Sequence, residues 1–136
     1  MVVVLLLWKR RWAISLLAAY AILVLAGTVF IRRAMVEPQY ELQLFWSYAH
    51  WNLQKEQVLR NVIMFIPIGF LAGKEFGRKG IILAAGFSLL IETIQLLSCR
   101  GLFEFDDIIH NTAGAVIGYG CFALTERLLR KIVGNG

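Results

Sequence analysis

Charge is scarce in this chain. Only 17% of its 136 residues are Asp, Glu, Lys or Arg, and 59% are hydrophobic, where a soluble domain averages about 25% and about 45–50%. A soluble globular domain and a disordered chain are both excluded. Cysteine is scarcer still. Cys99 closes one apolar run and Cys121 sits inside another, so the two lie at different depths and cannot form a disulfide scaffold. No P-loop, dinucleotide fingerprint or nucleophile elbow is present, and no cofactor is implied. The 14 basic and 9 acidic residues give +5, but the basic ones flank apolar runs. They read as topology signals and not as a nucleic-acid surface. No internal repeat or low-complexity tract stands out.

What is present is long apolar runs. Trp12–Ile31 is 20 residues without a charge, Gly80–Cys99 is 20 with only Glu92, and Ile108–Thr125 is 18 with none. About 20 apolar residues match a hydrocarbon core about 30 Å thick. A fourth run, Asn61–Gly73, has 13 uncharged residues. Extended back to Val58, with Arg60 snorkelling to the interface, it makes a short span that neighbouring helices can hold despite Pro67 and Gly69. The expectation is an all-α, multi-pass membrane protein. It is a single four-helix domain over residues 1–136, with spans at about 12–31, 58–73, 80–99 and 107–125. The first run is too long for a secretory signal and lacks a small-residue cleavage site, so it is read as a retained span. Met1–Trp8 is too short to cross and is expected to lie against the membrane.

Basic residues resist translocation. Lys9–Arg11, Lys74–Lys79 and the Arg127–Lys131 tail are therefore expected in the cytoplasm with both termini. The loop holding Arg100, Glu104, Asp106 and Asp107 is expected outside. Parity places residues 32–60 outside too, with Arg32 and Arg33 as the discordant charges. That loop carries Phe45, Trp46, Tyr48, His50 and Trp51, which suits a short interfacial helix or a lid over a site.

Glu92 is the most informative residue. A carboxylate inside a span costs roughly 2.5–3.5 kcal/mol on insertion scales and faces a partner or a water-filled cavity. Gln95 shares its helix face. The pair is expected to face the last span. Asn61, Glu92, Gln95, Arg100, Asp107 and Asn111 fall at one depth from three helices. They make a ligand-binding cluster, with Arg100 the natural ion partner of Asp106 or Asp107. A polar network that merely locks the bundle is the alternative. Asp106 or Asp107 with His110 has ligand spacing for a divalent cation, but no repeated ligand motif accompanies it, and no metal site is expected. Asp107, Asn111, Gly114 and Gly118 line one face of the last span. Gly114–Gly118 and Gly69–Gly73 are small-residue pairs that let helix backbones approach. Packing within one chain is preferred over a homodimer seam.

RNVIMFIPIGF, SLLIETIQLLSCRG and FDDIIHNTAGAVIG, spread over about residues 58–120, together resemble the VanZ-like family of bacterial membrane proteins. Asn61, Pro67, Gly69, Glu92, Gln95, Arg100, Asp107, Asn111, Gly114 and Gly118 match its pattern, and Glu104 stands where many relatives have Asp. The resemblance implies a cell-membrane protein of the type associated with low-level resistance to teicoplanin, a glycopeptide with a fatty-acyl tail. Two readings follow. One is a non-enzymatic envelope protein that binds a lipid-tailed ligand, with the polar cluster on the head group and membrane lipids around it. The other is an intramembrane enzyme acting on a lipid-linked envelope precursor, with Glu92 as general acid or base and Arg100 neutralising an anionic head group.

Overall fold

The computed structural model describes residues 12–134, so the expectations for Met1–Trp8 and Lys9–Arg11 lie outside the described residues. The elements in chain order are α1 (Ala13–Leu25), a π-helical turn (Ala26–Phe30), β1 (Gln39–Glu41), α2 (Trp46–Ala49), α3 (Trp51–Phe76), α4 (Lys79–Leu97), β2 (Leu102–Glu104) and α5 (Phe105–Gly134). Among the described residues, three helical stretches are long and apolar enough to cross a membrane: Ala13–Phe30, Lys79–Leu97 and Phe105–Val133. The fourth expected span lies inside α3, one unbroken 26-residue helix running through Pro67. At about 1.5 Å per residue it is roughly 39 Å long. Its first half, WNLQKEQVLRN, is too polar for α3 to join the other three on composition. A short helix does stand in the 32–60 loop, as expected.

The all-α expectation needs one correction. β1 and β2 form a two-stranded parallel ladder, pairing Gln39 with Leu102, Tyr40 with Phe103 and Glu41 with Glu104. Both segments leave helices at the same end of the bundle, where their backbone groups need partners. Three residues each are too few to show a strand period. The helix α5 itself runs on past residue 125, the expected end of its span.

Inside the bundle the main contact is α3 against α5, and the glycines make it. A Cβ on Gly69 would strike the Ala115 backbone, one on Gly114 the Val62 carbonyl, and one on Gly118 the Ile66 carbonyl. A Cβ on Gly73 would sit 2.8 Å from the Tyr119 ring. All four expected packing glycines thus serve the contact within one chain. Val24, Val29, Phe65, Ile68, Ala84, Ile91 and Ala115 fill the remaining core. Outside, large apolar side chains such as Ile22, Leu23, Leu53, Ile82 and Leu97 are exposed, while Ser88, Glu92, Gln95, Asp107 and Asn111 are buried. Apolar outside and polar inside is the arrangement a bilayer selects. The chain is a membrane protein.

The turns fix which ends meet. Gly77, at φ 58°, closes α3, and its N–H returns to the Gly73 carbonyl at 2.9 Å. Gly80 then packs on the Ala72 backbone, which allows an immediate reversal into α4. At the far end of α4, Cys99 takes φ 54°. Its N–H reaches the Leu96 carbonyl at 3.2 Å, and Arg100 N–H reaches the Gln95 carbonyl at 2.9 Å. This is a Schellman stop with Cys99 where glycine is usual. The end of α1, the start of α3, the end of α4 and the start of α5 therefore gather at one loop-rich end.

Candidate functional site

The site builds outward from Glu92. Its carboxylate accepts the backbone N–H of Glu104 at 3.0 Å, so the loop after α4 folds back over the helix that supplies Glu92. The Glu104 side chain is buried as well. Its Oε2 accepts from Gln57 Nε2, which also donates to Asp107 at 3.1 and 3.2 Å. One amide from α3 thus bridges carboxylates from β2 and α5. Asp107 lies beside Asn61 and 4.0 Å from His110 Nδ1. One turn deeper, Asn111 Nδ2 donates to Ser88 Oγ at 2.8 Å, and Ser88 lies one turn before Glu92 on the same face of α4. The site draws residues from α3, α4, β2 and α5.

Neighbouring groups hold this frame. Asp106 accepts Phe45 N–H at 2.7 Å and Ser47 N–H at 2.8 Å, capping the start of α2 from another part of the chain. Phe45 there has φ 63°, uncommon for a bulky residue, and the two charge-assisted bonds stabilise it. His110 meets Tyr48 Oη at 3.3 Å and the Tyr48 ring edge-on, and Tyr48 stacks on Trp51.

Several expected members sit elsewhere. Arg100 makes no ion pair with Asp106 or Asp107 among the described residues. Its guanidinium donates instead to the carbonyls of Phe30 and Arg32, each at 3.1 Å. The left-handed turn at Cys99 points it at the end of the π turn, whose last carbonyls need donors, while backbone N–H groups and Gln57 satisfy the carboxylates. Gln95 faces α1 and not α5, donating to the Thr28 carbonyl at 3.0 Å in the π turn. The cation whose charge reaches Glu92, Glu104 and Asp107 is Arg32. The charge that was discordant for topology thus stands opposite the acidic cluster. Gln57 and Ser88 were not anticipated at all. The one available hint for Gln57 was its place four residues before Asn61, on the same helix face.

Burial, helped by the nearby Asp107 charge, pushes the Glu104 carboxyl up to about 7, against the opposing Gln57 hydrogen bond. Glu104 therefore exchanges a proton near neutral pH. Among the described residues, five buried side-chain polar atoms make no hydrogen bond: Asn61 Nδ2, Gln95 Oε1, Glu104 Oε1, His110 Nδ1 and Asn111 Oδ1. Leaving such groups unmade costs about 1–3 kcal/mol each. Together they offer both donors and acceptors to a water or a ligand. Among the described residues no group of three or more His, Cys, Asp and Glu side chains is placed to hold a metal ion.

The family model VanZ/LLP1 matches residues 2–126, which takes in every residue of this site. The chain belongs to the VanZ/LLP1 family. It is similar to Protein VanZ of Enterococcus faecium, with 32% identity over 79 residues, 55% of this chain and 49% of that protein. The chain spans about half the length of the curated relative it matches. No solved structure matches it. In this VanZ/LLP1 chain the motif residues divide by role. Gly69, Gly114 and Gly118 hold α3 on α5, Arg100 and Gln95 tie α4 to the π turn, and Asn61, Glu92, Asp107 and Asn111 line the polar interior.

Proposed function

We propose that this chain is a four-span protein of the bacterial cell membrane that binds a lipid-tailed ligand at its loop-rich end. That end faces outward, and both termini face the cytoplasm. The observation that carries the reading is the set of unpartnered buried polar atoms at one end of a bundle whose outer surface is apolar. A purely structural lock would satisfy its own groups, whereas a head group can complete these, with its chain lying along the apolar faces. Membership of the VanZ/LLP1 family supports an association with low-level teicoplanin resistance. The ligand is then the acyl-tailed glycopeptide or a lipid-linked precursor.

The enzyme reading draws on one observation, that the carboxyls of Glu92, Glu104 and Asp107 share a site. In it Glu92 acts as general acid or base on a lipid-linked precursor. Glu92→Gln separates the two. Lipid retained by the purified protein, read by native mass spectrometry, partly survives the change if the site binds. Turnover of an added precursor collapses if it catalyses. For orientation, single cysteines at the exposed positions Gln39 and Arg78, in a background lacking Cys99 and Cys121, should label from outside at 39 and only after permeabilisation at 78. The reverse pattern would sink the topology.

A further inference from the structure

Beside the polar cluster a cavity of about 490 Å³ opens between α1 and α3, within the roughly 300–1,000 Å³ of small-molecule sites. Leu23, Val24 and Met64 give it an apolar wall, and Arg32, Arg60 and Asn61 give it a polar end. Arg32 and Arg60 there are donors only, while Asn61 and Gln57, which also lines the cavity, each carry an amide donor and an amide acceptor. Asn61 is only 8% exposed, and its Nδ2 lies beside the Asp107 carboxyl without a hydrogen bond within 3.5 Å. Both arginines are exposed residues, and neither has an ion pair within 4 Å among the described residues. Three backbone carbonyls nearby are already engaged. The Met64 carbonyl takes the Tyr20 hydroxyl at 3.1 Å, the Val24 carbonyl takes the Thr28 hydroxyl at 2.7 Å, and the Thr28 carbonyl takes Gln95. Behind Arg32 stand the carboxylates of Glu92, Glu104 and Asp107, which offset part of its charge. Glu56 stands one turn before Arg60 on α3, with no ion pair between them within 4 Å.

Two arginines and one buried amide donor, set against an apolar wall, are complementary to an anion carrying a hydrocarbon chain. Arginine suits a phosphate in particular, because its planar fork donates two parallel bonds. We propose that this groove takes a membrane lipid whose head group is an anionic phosphate ester. The phosphate sits on Arg32, Arg60 and Asn61, and the chain lies along Leu23, Val24 and Met64. This rests on the reading that the loop-rich end binds a lipid-tailed ligand, and it names the head-group class.

The test uses the whole purified protein in detergent, with phosphatidylglycerol and diacylglycerol of the same chains added in equal amounts. Bound lipid is read by native mass spectrometry. Phosphatidylglycerol should be retained at least about tenfold over diacylglycerol, and Arg32→Gln with Arg60→Gln should remove that preference. Lys55→Gln, an exposed charge on α3 outside the groove, should leave it intact. Arg32→Lys with Arg60→Lys should keep part of the preference. If the glutamine variant melts below the parent, this lysine variant decides the matter, and no preference in it counts against the proposal. Equal retention of both lipids, unchanged by the arginine substitutions, overturns the phosphate assignment but leaves the lipid-binding reading standing. Retention of neither lipid overturns both. Displacement of the lipid by an equal concentration of glycerol 3-phosphate shows a free-phosphate site and overturns the lipid assignment.

Discussion

The two ends of the α3–α5 contact are built on opposite principles. Toward the middle of the bundle, Gly69, Gly114 and Gly118 let backbones touch, and no buried side-chain polar atom of the described residues there lacks a partner. At the loop-rich end the same helices carry Gln57, Asn61, Asp107, His110 and Asn111, and several of their polar atoms have no partner. The dry seam is complete within the chain. The polar end leaves donors and acceptors that water or a ligand can meet. Closeness and incompleteness on one pair of helices separate the part that holds the protein together from the part available for function.

The largest effect should come from breaking the seam. Gly118→Leu drives a side chain into the Ile66 carbonyl. Overpacking costs typically about 1–3 kcal/mol, and more where backbone cannot move. The variant should melt far below the parent in detergent or fail to accumulate. Gly86→Leu, with nothing within 4 Å of its added Cβ, should melt like the parent. Equal melting of both variants would mean that the seam is not there.

A smaller effect should follow at the polar end from Asp106→Ala. It removes the acceptor of Phe45 and Ser47 N–H, at about 1.5–3 kcal/mol for bonds to a charged group. Hydrogen exchange at Phe45 and Ser47 should speed up while the α3–α5 seam keeps its protection. Uniform loss of protection would contradict the separation of the two regions.

The mildest effect concerns pH. The Glu104 carboxyl sits at about 7 when folded, above its ordinary 4.5. The folded state therefore binds the extra proton between those values, and its stability falls as pH rises through that window. Glu104→Gln should flatten the fall in melting temperature between about pH 5 and pH 8. An unchanged slope would show that Glu104 is not buried beside Asp107.

The seam was legible in the sequence because glycines at helical spacing encode a close approach locally. The runs Trp12–Ile31, Gly80–Cys99 and Ile108–Thr125 were legible for the same reason, since length and the absence of charge are properties of a segment. Glu92 could be picked out because a lone carboxylate in such a run demands a partner. Which partner was not legible. The Glu104 N–H reaches Glu92 only because the left-handed turn at Cys99 folds the loop back, and cysteine there gives no warning. Arg100 looked like the counter-ion by proximity along the chain, yet the same turn sends it to the carbonyls of the π turn. The β1–β2 ladder joins segments about sixty residues apart, and three residues each leave no periodic trace. Arg32 was visible only as a charge on the unexpected side of the topology rule.

The proposed lipid-tailed ligand would lie at the polar end beside α1 and α3. Photo-crosslinking tests this placement most directly, using a diazirine-bearing phosphatidylglycerol in vesicles with adducts mapped by peptide mass spectrometry. The account predicts adducts concentrated on Tyr20–Gly27 and Asn61–Met64. Adducts spread evenly over other exposed apolar positions, such as Ile82, Leu89, Val116 and Leu124, with no excess in the groove, would contradict it.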